Sequence, residues 1–326
     1  MTRIFAYIVH KDGVPGDSAL ELAAAAHKID PAASPTAILT GWGTELDAAA
    51  KALGASYVAV WKIANEALAY PNAELVRKAL LKVLPSDSIV LVAHDHFGID
   101  LAPGLSIKLN AAFLSDVLDI AGVEGAAVKV VRQEFGGQVS AHVHCDISSG
   151  VVVTIRPGAF KHLENLPLNG TVADKSADIG ALTAGRHYLE TVVAEAGDVD
   201  ITKYSVLLSI GRGIQEKDNV ALALELADAM GAGVSCSRPV VDAKWMEKSR
   251  QVGSSGKTVK PKVYLACGIS GAFQHLAGIK GSPFLIAINK NPKAPIFQVA
   301  DVGIVDDILE FLPEMTNKVR ELRHAA

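Results

Sequence analysis

The first ~190 residues alternate short apolar runs with stretches in which apolar residues recur at helical spacing. The apolar runs predict strands at residues 4–9, 36–40, 57–63 and 88–93. The amphipathic stretches predict helices at residues 17–29, 45–53 and 73–84. This alternation is typical of a parallel sheet with helices on both faces, so the chain is expected to begin with an α/β domain.

Three further strands, at residues 127–134, 138–146 and 150–156, follow one another with no helix between them. Gly136 and Gly137 supply one turn signal and residues 148–150 supply another. We interpret these strands as an antiparallel meander at one edge of the parallel sheet. The expected N-terminal fold is a parallel-sheet, nucleotide-hydrolase-like domain with an edge β-hairpin.

A polar, irregular stretch at residues 161–202 is interpreted as a linker, with the domain boundary near residue 195. The predicted domains are therefore residues 1–195 and 196–326. Beyond the boundary, strand–helix alternation resumes and predicts a Rossmann-like α/β domain. Its strands are expected at residues 204–210, 233–236, 263–267, 284–288 and 296–299, and its helices at residues 219–230, 270–279 and 304–323.

Composition argues against two classes of protein, nucleic-acid binders and membrane-spanning proteins. The 326 residues include 31 Lys+Arg and 35 Asp+Glu, a formal net charge of -4, whereas a general nucleic-acid binder would show a basic excess. Hydrophobic residues make up 50% of the chain, but no run approaches the ~20 apolar residues of a membrane-spanning helix. We therefore expect no nucleic-acid partner and no membrane insertion.

Cysteine usage bears on the compartment. Cys145, Cys236 and Cys267 are odd in number and widely spaced, which argues against a disulfide framework and favours a reducing compartment. The N-terminal residues have the pattern of a strand and not that of a signal or transit peptide. The expected localisation is cytoplasmic, and a mature organellar protein without its presequence would show the same pattern.

Two patterns resemble known sites but lack part of what those sites need. His142 and His144 would share one face of a strand, but no further metal ligand lies nearby in sequence. Residues 253–258 mimic the end of a phosphate-binding P-loop, but Gln251 stands where the first glycine of that motif belongs. We therefore predict neither a metal site nor a P-loop.

Polar residues of the C-terminal half lie where predicted strands end. Arg212 follows the first of these strands, Arg238 the second and Asn289 the fourth. The carboxyl ends of parallel strands meet at one edge of an open sheet, and such edges bind ligands. Gly268 permits close backbone approach just before a helix expected to begin near Ser270, which would make a phosphate site. Each residue alone would be an ordinary cap or turn, but together they predict a dinucleotide-like ligand.

The same half contains an ordered series of more specific segments. They are GRG (211–213), SRPVVD (237–242), QVGSSGKTV (251–259), PKVY (261–264), GISGAFQHLAG (268–278), AINK (287–290) and APIFQVAD (294–301). In order and spacing these segments resemble the alpha subunit of electron transfer flavoprotein. The resemblance covers nearly the whole C-terminal domain, and the N-terminal half is compatible with the first domain of that family.

The resemblance implies one FAD, held mainly by residues 196–326, and an electron carrier without metabolite turnover of its own. It also implies a heterodimer whose N-terminal domain contacts a beta subunit carrying AMP or a second FAD. Electrons would come from acyl-CoA-type dehydrogenases, as in fatty acid beta-oxidation, and pass singly to a quinone oxidoreductase or another acceptor. The cofactor-binding residues carried over by matching motif are Arg212, Ser237, Arg238, Gln251, Val252, Gly253, Ser254, Ser255, Gly256, Ser270, Gly271, Ala272, Phe273, Gln274, His275, Asn289 and Asp307.

For the adenosine and phosphate portion of FAD, the resemblance implies three groups of contacts. Arg212 would contact the adenine side or the pyrophosphate. Asn289 and Asp307 would hold the adenosine ribose or adenine. Residues 270–275 would place a helix N-terminus near the phosphates and the flavin.

At the flavin end, the resemblance implies Arg238 over the isoalloxazine ring, Ser255 near N5 and His275 near O2. A guanidinium stays protonated at any working pH, so Arg238 would stabilise negative charge on the reduced ring. At ~4 Å and an effective dielectric near 20, the attraction between the guanidinium and the negatively charged ring is about 4 kcal/mol. This energy corresponds to a rise of at most roughly 170 mV in the reduction potential of the flavin. The chain departs from the family at Ser254 and Ser255, where Gln-Thr is usual. It departs again at Cys267, where Val is commoner and where we expect a small buried hydrophobic residue.

Other functions remain open at this point. An electron-bifurcating form of the same family uses NADH and a second FAD in the beta subunit, and the alpha chain does not distinguish it. An NAD(P)-dependent dehydrogenase would need a Gly-x-Gly-x-x-Gly turn and an acidic residue ~20 positions later, which the chain lacks. A nucleotide-binding structural or sensor module is a third class, and flavin absorbance would exclude both non-flavin alternatives.

Overall fold

The computed structural model describes residues 3–32, 34–162, 169–191, 199–281 and 283–325. The chain divides into two compact units, residues 1–190 and 191–326. The boundary expected near residue 195 lies outside the described residues. Each unit is built on one mainly parallel sheet, which confirms the expected α/β fold class.

The N-terminal unit is organised around a nine-stranded sheet. Its strands, including those of a small separate hairpin, are β1 (Ile4–Ile8), β2 (His10–Lys11), β3 (Val14–Pro15), β4 (Thr36–Gly41), β5 (Ala59–Ala64), β6 (Ile89–Ala93), β7 (Ala112–Glu124), β8 (Ala127–Glu134), β9 (Val139–Asp146), β10 (Val151–Ile155) and β11 (Thr171–Asp174). The sheet order is β11-β5-β4-β1-β6-β10-β7-β8-β9, while β2 and β3 pair with each other. Pairing is parallel from β11 to β7, and β8 and β9 extend the edge as an antiparallel hairpin.

Helices cover both faces of this sheet. They are α1 (Ser18–Ile29), α2 (Gly43–Leu53), α3 (Ala73–Val83), α4 (His96–Leu109) and α5 (Ser176–Ile179). One buried cluster joins the sheet to α1 and α2, and a second joins its other face to α3 and α4. The sheet is therefore the middle layer between two hydrophobic cores, as the alternation of apolar runs predicts.

The prediction of an antiparallel meander is wrong for one of its three strands, β10. β10 lies between β6 and β7 and pairs parallel with both, so it belongs to the interior of the sheet. Every residue of β10 is buried, and a continuous apolar run is typical of a parallel strand covered on both faces. The hairpin instead pairs with β7, a strand that the sequence pattern does not predict.

Helix α4 and strand β11 also lie in stretches where no element is predicted. Helix α4 contains Gly98, Pro103 and Gly104, which disfavour a helix interior and hide its pattern. Its buried residues Leu101 and Leu105 pack into the second core, and this tertiary packing outweighs the poor local propensity. β11 lies inside the predicted linker and pairs with β5 at the outer edge of the sheet.

The C-terminal unit contains a five-stranded sheet whose strands all pair parallel. Its elements are β12 (Val206–Ile210), β13 (Gly233–Cys236), β14 (Val263–Cys267), β15 (Phe284–Ile288), β16 (Val302–Ile304), α6 (Val220–Met230), α7 (Arg238–Asp242), α8 (Phe273–Leu276) and α9 (Ile308–Ala325). The order is β13-β12-β14-β15-β16, so the strands run 2-1-3-4-5 when numbered within the unit. This doubly wound order reverses direction between β12 and β14, and that switch point is where such sheets bind ligands.

Two predictions about the C-terminal unit are wrong. The predicted strand at residues 296–299 is instead a 3-10 helix, Pro295–Gln298, and the edge strand is β16. The predicted helix at residues 270–279 is reduced to the single turn of α8. Gly268 and Gly271 have φ of +66° and +87°, and these left-handed conformations keep the preceding loop out of a helix.

Among the described residues, no helix combines the length and the apolar character needed to cross a membrane.

A candidate cofactor site at the carboxyl edge of the C-terminal sheet

A cavity of about 610 Å³ lies at the carboxyl edge of the C-terminal sheet. It is enclosed by the loops that follow β12, β13, β14 and β15, and its volume is within the range of small-molecule and cofactor sites. The lining residues are Arg212, Gly213, Ser237, Arg238, Pro239, Gln251, Val252, Gly253, Ser254, Ser255, Gly268, Ile269, Ser270, Ala272, Gln274, His275 and Asn289.

Most of the residues predicted to bind the cofactor line this cavity, and the exceptions are Gly256, Gly271, Phe273 and Asp307. Gly256 shapes the loop beside the cavity, since a Cβ there would lie 2.4 Å from the carbonyl oxygen of Gln251. Gly271 holds the left-handed conformation described above, and Phe273 begins α8. These three residues are thus adjacent in sequence to residues that line the cavity, without lining it themselves.

Four lining residues are absent from the predicted set: Gly213, Pro239, Gly268 and Ile269. Each is close in sequence to a predicted residue at the end of a strand. Glycine lines a cavity with its backbone, so no side-chain chemistry marks it as a contact. Their signal in the sequence is position alone: Gly213, Gly268 and Ile269 come just after β12 or β14, and Pro239 comes just after β13.

The floor of the cavity at the switch point is made by glycine backbone. Gly213 donates its N–H to the carbonyl oxygen of Gly268 at 3.1 Å, and Gly211 donates to that of Cys267 at 2.8 Å. A Cβ built on Gly211 would lie 2.2 Å from the Gly268 carbonyl oxygen. The loops after β12 and β14 therefore meet without room for a side chain.

Two guanidinium groups give the cavity positive charge. Arg238 begins α7 and pairs only weakly with Asp242, because its Nε lies 3.4 Å from a carboxylate oxygen and its side chain is 68% exposed. Within the described part of the chain, the Arg212 side chain has no hydrogen bond or ion pair. Both groups are therefore available to an anionic ligand, as predicted from their positions at strand ends.

One wall of the cavity is the loop that contains Gln251 and Ser255. The Gln251 amide Nε2 donates to the Ser255 hydroxyl at 2.8 Å, and Gln251 itself is buried. The loop is anchored to the α8 turn, because Ser254 N–H donates to the Gln274 carbonyl oxygen at 2.7 Å. Gly253, with φ of +141°, allows this approach, since a Cβ there would lie 2.8 Å from the same oxygen.

Of the two residues predicted to contact adenosine, Asn289 lines the cavity and Asp307 does not. Asn289 lines the cavity, and its amide holds the neighbouring loop by donating to the Ile269 carbonyl oxygen at 2.9 Å. Asp307 does not line the cavity and pairs with Lys290 at 2.5 Å. The hydrogen bond from Lys290, followed by that from a backbone N–H of α9, lowers the pKa of the Asp307 carboxyl.

His275 lines the cavity as a buried and neutral ring. Its Nδ1 lies 3.1 Å from the Val252 carbonyl oxygen, and its Nε2 lies 2.9 Å from the Tyr264 hydroxyl. Burial lowers the pKa of His275 to about 4, against a smaller upward effect of the Val252 carbonyl. Both ring nitrogens thus contact protein atoms. The sequence predicted His275 near flavin O2 but did not predict these two contacts.

Cysteine chemistry does not contribute to the site. Cys267 ends β14, lies in the hydrophobic core and is fully buried, and burial raises its pKa to about 12. Cys236 has the same environment at the end of β13, and burial raises its pKa to about 12 as well. A thiol with so high a pKa is unreactive at neutral pH, in agreement with the interpretation of Cys267 as a packed hydrophobic residue.

The described residues contain no cluster of three or more His, Cys, Asp or Glu side chains suited to a metal ion. His142 and His144 lie exposed on the edge strand β9. The cavity therefore offers backbone N–H groups, hydroxyls, an imidazole and two guanidiniums. Such a set suits an anionic, partly aromatic ligand.

Two family models match the chain. The electron transfer flavoprotein domain matches residues 4–195, and the electron transfer flavoprotein FAD-binding domain matches residues 200–280. The second match contains every lining residue of the cavity except Asn289. The cofactor of this domain is FAD.

Curated relatives agree with the family models. The electron transfer flavoprotein subunit alpha of Methylophilus methylotrophus is 34% identical over 318 residues, which cover 97% of this chain and 98% of the relative. That of Clostridium acetobutylicum is 37% identical over 266 residues, 78% of each chain. Protein FixB of Clostridium saccharobutylicum is 37% identical over 235 residues, 72% of this chain and 70% of the relative. The chain therefore belongs to the family of electron transfer flavoprotein alpha subunits.

Proposed function

We propose that the chain is the alpha subunit of a heterodimeric electron transfer flavoprotein and binds one FAD in the cavity at the carboxyl edge of its C-terminal sheet. It carries electrons between other proteins and turns over no metabolite itself. The observation that carries the proposal is the glycine contact of Gly213 with Gly268 at the switch point. This contact lies within the segment that matches the FAD-binding domain.

The residues of the cavity fit FAD in charge and in shape. The pyrophosphate is anionic, and Arg212 and Arg238 supply two permanent positive charges in the same cavity. Val252 and Ile269 add apolar lining against which a ring system can pack. The loops at Gly268 and Gly213 pack too closely for a side chain, because a Cβ on Gly268 would lie 2.8 Å from the Gly213 Cα.

Bound FAD supplies one-electron redox chemistry, and the chain holds the cofactor and sets the charge around it. Arg238 would stabilise negative charge on the reduced isoalloxazine, since a guanidinium group carries a permanent positive charge. Ser255 is proposed near N5, where its hydroxyl would donate while it still accepts from Gln251. Arg212 is proposed at the pyrophosphate or adenine side of FAD, whereas Arg238 is proposed at the isoalloxazine ring.

The partners are proposed from the family. A beta subunit contacts the N-terminal unit and carries AMP or a second FAD. Acyl-CoA-type dehydrogenases supply electrons, and a quinone oxidoreductase or similar protein accepts them. The relatives named above as subunit alpha support the heterodimer, since that name implies a second subunit.

The proposal is tested by co-purifying the chain with its beta subunit and counting bound flavins and nucleotides. A yellow complex with one FAD is expected, reduced by an acyl-CoA dehydrogenase with its substrate and not by NADH. A colourless complex would overturn the proposal. A complex with a second FAD that NADH reduces directly would assign the chain to the electron-bifurcating form.

A further inference from the structure

The hydrogen bonds of His275 assign its protons. A carbonyl oxygen can only accept, so the contact of 3.1 Å between Nδ1 and the Val252 oxygen requires a proton on Nδ1. In a neutral imidazole the other nitrogen is then an acceptor, and Nε2 accepts from the Tyr264 hydroxyl at 2.9 Å. The ring is thereby fixed in one tautomer and one orientation.

Tyr264 is itself held in place below the cavity. It is the second residue of β14, is fully buried and does not line the cavity. The buried Ser209 lies on β12, which neighbours β14, and the buried Ser235 lies on β13, the next strand beyond it; the two serines are paired with each other in register. Burial raises the pKa of Tyr264, and these two hydroxyls oppose that rise. Neither serine hydroxyl has a hydrogen bond of good geometry among the described residues.

We propose that Tyr264 is a positioning residue for the cofactor site: it holds His275 as a neutral, Nδ1-protonated ring facing the cavity. The identity of the ligand as FAD rests on the proposed function, but the state of the His275 ring does not. In this arrangement His275 contributes shape and no charge. The positive charge that the flavin experiences from the lining then comes from Arg212 and Arg238.

The surroundings of His275 are consistent with a ring that stays neutral. The groups that act on it are Tyr264 from β14 and the backbone of Val252 from the facing loop. Tyr264 in turn lies near the Cys236 and Cys267 thiols, which burial keeps uncharged. Protonation of Nε2 would place a charge in this apolar layer, where no carboxylate among the described residues contacts the ring to offset it.

The direct test is ¹⁵N NMR of histidine-labelled protein, free of flavin and loaded with FAD. The chain has 10 histidines, and the His275 signal is the one missing from His275→Gln. We expect that signal to show a proton on Nδ1 and none on Nε2 from pH 5.5 to 8.5, in both forms. Titration of the signal near the ordinary histidine pKa of about 6.5, or a proton on Nε2, would overturn the proposal.

Tyr264→Phe removes the hydroxyl and keeps the aromatic ring. We expect the Nε2 signal to move toward that of an imidazole nitrogen without a hydrogen bond, and the Kd for FAD to rise about tenfold. Tyr57→Phe is the matched control, because the Tyr57 hydroxyl is also buried and donates to the Ala19 carbonyl oxygen at 2.6 Å in the N-terminal unit. It should change neither the Nε2 signal nor the affinity for FAD.

An unchanged Nε2 signal in folded Tyr264→Phe would show that the hydroxyl does not hold the ring, and would overturn the proposal. If that variant does not fold, the spectrum of the unsubstituted protein still decides the tautomer and its pH range. A chain that binds no FAD but shows the expected His275 signal would contradict the proposed function alone. The two failures are therefore distinguishable.

Discussion

Gly213 and Gly268 lie in backbone contact across the switch point of the C-terminal sheet, with the Gly213 N–H donating to the Gly268 carbonyl oxygen at 3.1 Å. A Cβ on Gly213 would lie 2.7 Å from the Gly268 Cα, which is closer than non-bonded carbon atoms approach. The loops after β12 and β14 can meet here only because both residues lack a side chain. The shape of the cavity depends on this contact.

Gly213→Ala should therefore weaken FAD binding much more than it weakens folding. The methyl group must push the two loops apart, and we expect the Kd for FAD to rise at least tenfold, about 1.4 kcal/mol, as measured by flavin fluorescence titration. Gly185→Ala is the matched control, since the nearest atom to its new Cβ is 3.9 Å away in the N-terminal unit. Equal affinity in the two variants would contradict the role of the glycine contact.

Arg238→Ala should lower the midpoint potential for the first electron added to the flavin. Removing a permanent positive charge makes a negatively charged reduced ring less favourable. Because the Arg238 side chain is 68% exposed, solvent screening reduces the effect well below the maximum of about 4 kcal/mol, and about 1 kcal/mol corresponds to a decrease of roughly 40 mV.

The control for this prediction is Arg320→Ala on α9, which removes the same charge from a partly exposed ion pair with Glu225. Its potential should equal that of the unsubstituted protein, as measured by dithionite titration with reference dyes. A potential that does not change in Arg238→Ala would rule out electrostatic tuning by this residue.

The burial of His275 predicts a pH dependence of stability. Its pKa is lowered by burial to about 4 in the folded chain, so between pH 6.5 and pH 4 the unfolded state binds more protons. The free energy of unfolding should therefore fall with acidification over this range, by about 3 kcal/mol for this one group. Above pH 6.5 the ring is neutral in both states and contributes no slope.

Urea unfolding of the chain and of His275→Gln at a series of pH values isolates this contribution. The stability difference between the two proteins should change by about 3 kcal/mol from pH 7 to pH 4, with the unsubstituted chain losing more. His142→Gln, on the exposed face of β9, should follow the unsubstituted chain. Parallel curves for the chain and His275→Gln would show that the ring is not held neutral.

Thiol reactivity should single out Cys145. It is only partly buried on β9, whereas Cys236 and Cys267 are buried with pKa values raised by burial to about 12. A thiol reagent at pH 8 should label one cysteine in the folded chain and all three after unfolding. Labelling of Cys267 in the folded chain would contradict its place in the core.

The sequence predicted which residues lie together at the cavity, because parallel strands bring their carboxyl ends to one edge. Arg212, Arg238 and Asn289 are far apart in sequence, and each directly follows an apolar run that is a strand. Strand order is not encoded locally, so the central position of β10 was missed although its apolar run is typical of a buried parallel strand. The same limit hid β7 and β11.

The contacts of individual side chains could not be read from the sequence. Tyr264 is eleven positions from His275, and only the fold shows that its hydroxyl reaches Nε2. One feature of the sequence could have indicated these contacts: polar side chains interrupt otherwise apolar strands at Ser209, Ser235 and Tyr264. Buried polar residues of this kind need partners, which makes them candidates for support of a nearby site.

The central claim is that the cavity of the C-terminal unit holds one FAD, and the flavin content of Gly268→Val tests it most directly. A Cβ at Gly268 would lie 2.8 Å from the Gly213 Cα at a φ of +66°, so a branched side chain must close or distort the cavity. Both proteins are co-purified with the beta subunit, checked for folding by circular dichroism, and assayed for released FAD. We expect one FAD fewer per alpha chain in folded Gly268→Val than in the unsubstituted protein. Equal FAD content in the two complexes would contradict the claim.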